Sequence, residues 1–445
     1  MKKALIGVAG VVVLGLGVLQ AAYRWAGRDE APPEDGDFAP ERAEVAEAEN
    51  AFTYFLQATN GTVAPTNMEL LADYRMGKPV DEEAVRTLVA QNAKSLELIR
   101  RGTECAICQT PPVERIETLV PYIQPWLTLS RVLEARARQA RLAGRPEEAA
   151  EDVRTALRFG YGVQDNAACL INYLVGMAIY SSAAEAAQEV ARDPATSPEA
   201  LARLAATLRD TGTFGRGLRL ALQAEYRMGC HVVDDLSRRQ SSEELAEIFG
   251  VDSGPWLKIL RRARRSTYAF KPNQTKRMLG EFYRGEIADI PRIYAELPPE
   301  KLQEAGGQKI SPYQPNAIGR FLLELLEPAI GRILETRCKL EAIAAGTGLV
   351  VACQRFARER GRWPAELSEL VPDYLAAVPR DPYDGAGFRY SAEKGLAWAV
   401  GRNLTDEGGS TRLLEGEGTE GKPNRDRSKA EDFVFEVRAA AKDAE

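Results

Sequence analysis

Carboxylates crowd a glycine-rich stretch near the end of the chain, where Asp406 and Glu407 precede Gly408-Gly409 and where Asp426, Glu431 and Asp432 follow. Acidic side chains mixed with backbone carbonyls on a loop are the oxygen set that calcium takes, so Asp406 and Glu407 are the metal candidates; solvated loop acids are the plainer reading of the same residues. Earlier, Cys105-Ala106-Ile107-Cys108 forms a C-x-x-C ahead of Pro111 and Pro112. Such a pair serves as a redox dithiol, as half of a zinc site or as a local disulfide. A second C-x-x-C is missing, so a four-cysteine zinc site would have to gather Cys169, Cys230, Cys338 or Cys353 from afar. No thioredoxin-like βαβ pattern surrounds the pair. In an exported protein, the economical expectation is a disulfide involving Cys105, Cys108 or both.

Other chemistry is thin. The chain holds one histidine, His231, which excludes multi-histidine metal sites and leaves Ser-His-Asp or Cys-His catalysis dependent on a single position. It follows Cys230 in EYRMGCHVVDDL, where the apolar spacing is helical. Adjacent helix residues point in different directions and do not share a proton, so the two make no nucleophile pair. Asp381 and Asp384, within RDPYDG, are accounted for by turn formation. Among 64 acidic residues no catalytic pair stands out. Phosphate loops are absent as well: GVAGVVVLGLG lies in an apolar run and AIAAGTGLV lacks a strand-turn-helix context.

The elements that would carry these residues are mostly helices. With 445 residues, 45% apolar and 27% charged, the chain can bury a real core and has room for about two or three domains. A net charge of −6 argues against nucleic acid as a partner, because phosphate neutralisation needs concentrated Lys and Arg. One basic run, Arg261 to Arg265, is flanked by acidic segments and reads as a solvated helix face.

Lys2 and Lys3 precede an uncharged run over residues 4–22, and Tyr23 and Trp25 follow as an interfacial pair. Nineteen residues at about 1.5 Å each make roughly 28 Å of helix, close to the hydrocarbon thickness of a bilayer. Residues 1–27 therefore read as a single-pass membrane anchor, with Ala21 and Ala22 leaving signal-peptide cleavage open. Lysines before the span, and acids outnumbering Arg24 and Arg28 after it, predict a cytoplasmic N-terminus and an extracytoplasmic body. Residues 28–40, acidic and proline-bearing with little to bury, read as a linker.

A helical body is expected over residues 41–311. Helical patterning covers 41–58, pauses at 60–65, resumes over 81–101, and becomes dense from Pro121. Residues 128–161 pair Leu133 and Ala137 with Ala149, Val153, Ala156 and Leu157 across a turn at Gly144, small residues letting two antiparallel helices approach closely. This stretch resembles a single tetratricopeptide unit. The run from Cys169 to Val190 is a core helix, too short in its uncharged part to span a membrane. Between 241 and 312, Gly and Pro break the pattern into short helices. A long apolar helical pattern then covers 316–360, kinked at Pro328 and weakened at Gly346 and Gly348.

Residues 312–445 end in a recognisable order of parts. The helix stops at Gly361; GRWP opens a short helix through Leu367 and Leu370; Pro372, Pro379 and Pro382 hold an extended connector; Asp384-Gly385 leads into a hairpin of 388–390 and 396–400; an acidic Gly-rich loop follows. Phe433 to Val437 alternates as a third strand that would cover an edge of the hairpin. This order resembles the globular end of the type II secretion major pseudopilin, found also in bacterial membrane-anchored proteins. The resemblance implies a small α+β module, an envelope location and calcium in the acidic loop, carried here on Asp406 and Glu407. The prepilin peptidase signature of true pseudopilins is missing.

The expected fold is mainly α: an N-terminal transmembrane helix, a multi-helix tetratricopeptide-like body and a C-terminal α+β module with an antiparallel three-strand sheet. The expected function is a non-enzymatic, membrane-tethered scaffold that meets protein partners in the cell envelope, in a secretion or pilus-like assembly. The alternative is an envelope hydrolase with a site of dispersed carboxylates. A pocket of converging, partly buried carboxylates would mark the enzyme, and exposed apolar grooves the scaffold.

Overall fold

Apolar residues recurring every three or four positions give helices almost throughout, and the computed structural model describes residues 27–39, 44–67, 69–115, 118, 120–238, 268–302, 314–414 and 429–438, with Gln20 and Trp25. The apolar run 4–22, Gln20 apart, lies outside them, as do the basic run at 261–265, Asp426 and most of the loop expected over 411–429.

Four helices begin the body: α1 (Ala51–Asn60), α2 (Leu70–Arg75), α3 (Glu82–Gln91) and α4 (Ala93–Gly102). The helical pattern expected from 41 starts only at Ala51. Asn50 sets that start: its side chain accepts from Phe52 N, and it also donates to Gln109 O and accepts from Gln109 N. The pattern over 81–101 is divided between α3 and α4 at Asn92. That residue is fully buried and its amide group bonds Val63 N, Val63 O and Leu88 O, so the interruption carries its own polar partners. The short α2 gave no signal in the sequence.

Next come α5 (Ile123–Leu142), α6 (Pro146–Asp165), α7 (Leu170–Arg192), α8 (Pro198–Asp210) and α9 (Gly215–Arg238). The expected antiparallel pair over 128–161 is α5 and α6, turning at Gly144 with φ of +72°. The next crossing, between α6 and α7, is a close one. A Cβ on Gly160 would lie 2.5 Å from Tyr180 N, and one on Gly176 would lie 2.7 Å from Gly160 O, so the two backbones touch where both side chains are absent.

The segment expected to be a linker is instead bound along α9 and α10 (Pro272–Asp289). Phe38 is 1% exposed and stacks on Tyr226 of α9. Arg284 holds Asp37 in a two-pronged pair, and Arg277 holds Glu30 likewise. Asp29 accepts from the backbone N–H groups of Asn273 and Gln274, capping the first turn of α10 from far away in sequence. The acids that made 28–40 look solvated are the groups that fasten it.

The C-terminal helices are α11 (Ala317–Gly331) and α12 (Ile333–Arg360), with the break at Arg332 and not at Pro328; the helix runs through the proline and ends at Gly331, a poor helix former. Helix α12 is long and apolar enough to cross a membrane, but 67% of its apolar window is buried against the protein, as in a core helix. Gly361, at φ +70°, ends it as expected.

Beyond a 3-10 turn at Leu367–Leu370, strands β1 (Arg389–Ser391), β2 (Leu396–Val400) and β3 (Asp432–Glu436) form an antiparallel sheet in the order β1-β2-β3. Arg389 pairs with Trp398, and Trp398 with Val434. The third strand covers the outer edge of β2, as its alternation predicted. Phe433 and Phe435 are buried, and Gly346 of α12 leaves room for the Phe435 ring.

Candidate functional site

Two clusters of charged side chains are built into this frame. The first lies in the sheet module. Asp381 is fully buried, and the peptide N–H groups of Tyr383 and Val400 donate to it at 2.8 and 2.7 Å. Arg389 of β1 pairs with both Asp381 and Asp384, and its Nε lies 3.7 Å from Asp406. Burial pushes the Asp381 carboxyl up to about 6, against the pull of the two amides and Arg389. Asp384 is also lifted by burial, but its bonds to Arg389 and Ala386 N outweigh that and hold it below the usual range. One guanidinium among three carboxylates ties the 381–387 turn to β1 and β2.

Asp406 and Glu407, the calcium candidates, do different jobs. Asp406 accepts from Trp398 Nε1 at 2.9 Å and from Gly408 N at 3.0 Å, and it faces Arg389. The backbone N–H of Glu407 donates to Asp432 at 3.5 Å, and the same carboxylate accepts from Gly409 N and Ser410 N. Asn403 donates to Glu407 Oε1, while Oε2 is buried without a hydrogen-bond partner. Burial and then the Asp432 charge raise the Glu407 carboxyl. Among the described residues, no group of three or more His, Cys, Asp or Glu converges as a metal site. Glu407 Oε2 is the oxygen left without a hydrogen bond, whereas the carboxylates of Asp406 and Asp432 both accept from N–H donors.

The second cluster lines a cleft of about 270 Å³ between α2, α5, α6 and α7. Its floor is Glu134 of α5, which is 4% exposed and accepts from Ser182 Oγ at 2.7 Å and Ser130 Oγ at 3.2 Å. Arg75 lies 3.7 Å from Glu134 and 3.4 Å from Glu185, and its guanidinium also meets Ser182. Arg138 spreads over the Tyr74 ring at 5.5 Å with its Nε buried and unbonded, and Arg141 pairs with Glu189 at 3.2 Å. Three arginines thus face three glutamates. Burial raises the Glu134 carboxyl above the ordinary range. The cleft sets one buried carboxyl against two serine hydroxyls, both of which donate to it. In the sequence, Glu134 was indistinguishable from the surface acids of any charged helix; only its register, with Ser130 one turn before it, hinted at burial.

All six cysteines are free thiols, so the bridge expected at Cys105 or Cys108 is not formed. Cys108 is buried and burial raises its thiol far above the usual value; Cys105, half-buried, is raised by the same cause. Neither has the electropositive surroundings of a reactive thiolate. Cys338 and Cys353 are buried in α12 with thiols pushed up to about 12. His231 is half-buried on α9.

Comparison with known proteins leaves the geometry to speak by itself: no family model, no curated protein and no solved structure matches this chain.

Proposed function

We propose that the chain is a non-enzymatic, membrane-tethered extracytoplasmic scaffold, whose helical body and pseudopilin-like sheet module meet protein partners of a secretion or pilus-like envelope assembly. One observation carries the reading. From Asp29 to Phe38 the chain is bonded to α9 and α10, so a tether ahead of Asp29 would reach the body through a short connection. A scaffold needs such a connection to present one face, whereas a soluble catalyst on a leash has no use for it. The described acids also suit the role: Asp37, Asp152, Asp381 and Glu431 are each committed to an arginine.

The test is membrane fractionation with protease added from outside the cell. Retention in alkali-washed membranes, with residues of the sheet module cut in intact spheroplasts, is the expected result. Release by alkali, or a module protected until the membrane is dissolved, would overturn it.

The enzymatic reading has one observation in its favour, the raised and buried Glu134 in its cleft. If that carboxyl protonates a leaving group, a wild-type hydrolytic activity disappears in Glu134→Gln while the fold is kept. Calcium belongs to the scaffold reading as a structural ion in the loop of Asp406 and Glu407, where Glu407 Oε2 is the oxygen it would satisfy.

A further inference from the structure

The fastening of residues 29–38 decides which face of the body meets the lipid. Gln20 and Trp25 are helical, Arg28 N donates to Trp25 O at 3.1 Å, and Asp29 already caps α10. Four residues from Trp25 to Asp29 reach at most about 14 Å even when fully extended. Trp25 is 75% exposed, an aromatic ring placed where a membrane interface would take it. The first turn of α10 therefore cannot stand clear of a bilayer spanned by 4–22.

The same end of the molecule collects the last turn of α9, because Lys276 pairs with Asp234 at 2.7 Å and Ser237 and Arg238 follow, exposed. Arg28, Arg238 and Lys271 are cations there, suited to phosphate headgroups, whereas Lys276 is taken by Asp234. The sheet module is at the other end. Helix α10 runs away from Asp29 for 18 residues, roughly 27 Å, before Tyr294 N and Ala295 N bond Pro382 O and Tyr383 O of the module. Helix α7 points the same way: its first turn is capped by Glu225 of α9, while Arg192 in its last turn donates to Glu436 O.

We infer that the pole formed by the first turn of α10 and the last turn of α9 rests on the phospholipid surface, holding the sheet module at the far end of the body. The inference rests on the reading of 4–22 as a membrane span.

The test places a photo-crosslinking benzoylphenylalanine at Lys271, at Ser237 or, for contrast, at Glu393 in the hairpin turn. Each full-length variant is reconstituted into phosphatidylcholine–phosphatidylglycerol vesicles, floated, irradiated and read for lipid adducts by mass spectrometry. Adducts at 271 and 237 several-fold above those at 393 are expected. Two positions are used so that a perturbed fold at one leaves the other to decide. Flotation with equal adducts at all three, or most at 393, would overturn the lipid-facing pole alone; failure to float would overturn the tether and the pole together.

Discussion

The ring of Phe38 lies stacked on that of Tyr226, centroids 3.9 Å apart and planes 23° from parallel, with the Arg284 guanidinium 5.0 Å from the centroid of the Phe38 ring. A segment of acids and prolines is thereby pinned by its one large apolar side chain. Truncating a buried phenylalanine costs about 3–5 kcal/mol where the site cannot collapse. Phe38→Ala is expected to lower stability by about 3 kcal/mol, seen as a shifted denaturant midpoint of the full-length protein. A loss under about 1 kcal/mol would mean the segment is not integral to the body.

Why that segment read as a linker is instructive. Asp29, Glu30 and Asp37 look solvated when only their neighbours are considered, since acids with proline carry no local apolar pattern. Their partners, Asn273, Arg277 and Arg284, lie on a helix far along the chain, and sequence spacing carries no sign of such pairing. The helical hairpin, the stop at Gly361, the β-hairpin and the third strand were legible because each is decided locally, by period, glycine or turn chemistry. The split at Asn92 and the burial of Glu134 were not. Both depend on polar partners that tertiary packing brings together.

Asp381 gives a second prediction. Replacing it by Asn keeps the shape but puts an NH2 either at Oδ2, facing Arg389 and Val400 N, or at Oδ1, facing Tyr383 N. A lost hydrogen bond to a charged group and an unmatched buried donor together cost about 2–3 kcal/mol. Amide exchange across 396–400 should accelerate in Asp381→Asn while that of α6 and α7 stays slow. Unchanged protection of β2 would show that the cluster does not hold the sheet.

Two glycines in α12 separate packing from helix propensity. A Cβ on Gly346 would sit 2.3–2.4 Å from the Phe435 ring, whereas one on Gly348 meets nothing within 4 Å. Alanine gains about 1 kcal/mol over glycine within a helix, but overpacking costs about 1–3 kcal/mol. Gly348→Ala should therefore raise the thermal midpoint and Gly346→Ala should lower it. The same sign for both would refute the close contact between α12 and β3.

Glu134 predicts a pH dependence with a definite sign. Its carboxyl is raised above 4.5 by burial, so the folded state binds a proton that the unfolded chain has released. The stabilising contribution is complete below about pH 4.5 and is lost as pH rises through the folded value. Glu134→Gln removes this titration and keeps the size of the side chain. The stability of the wild type relative to the variant should fall as pH rises above 4.5 in urea titrations. A relative stability that climbs with pH would mean that Arg75 and the serines hold the charged form.

The acidic loop is tested by pairing a variant with an ion. Glu407 Oε2 is buried without a hydrogen bond and its carboxyl is raised by burial and by Asp432, so in the absence of a cation two acids repel across the loop. Removing one of them should help the ion-free protein: in chelator, Glu407→Gln is expected to melt above the wild type. Calcium should then raise the wild-type midpoint and leave that of Glu407→Gln where it was, because the orphaned oxygen is what the ion satisfies. A wild-type midpoint unmoved by calcium removes the ion from the proposal. A calcium shift retained in Glu407→Gln but lost in Asp406→Asn would return the site to the residue whose bonds to Trp398 and Gly408 now speak against it.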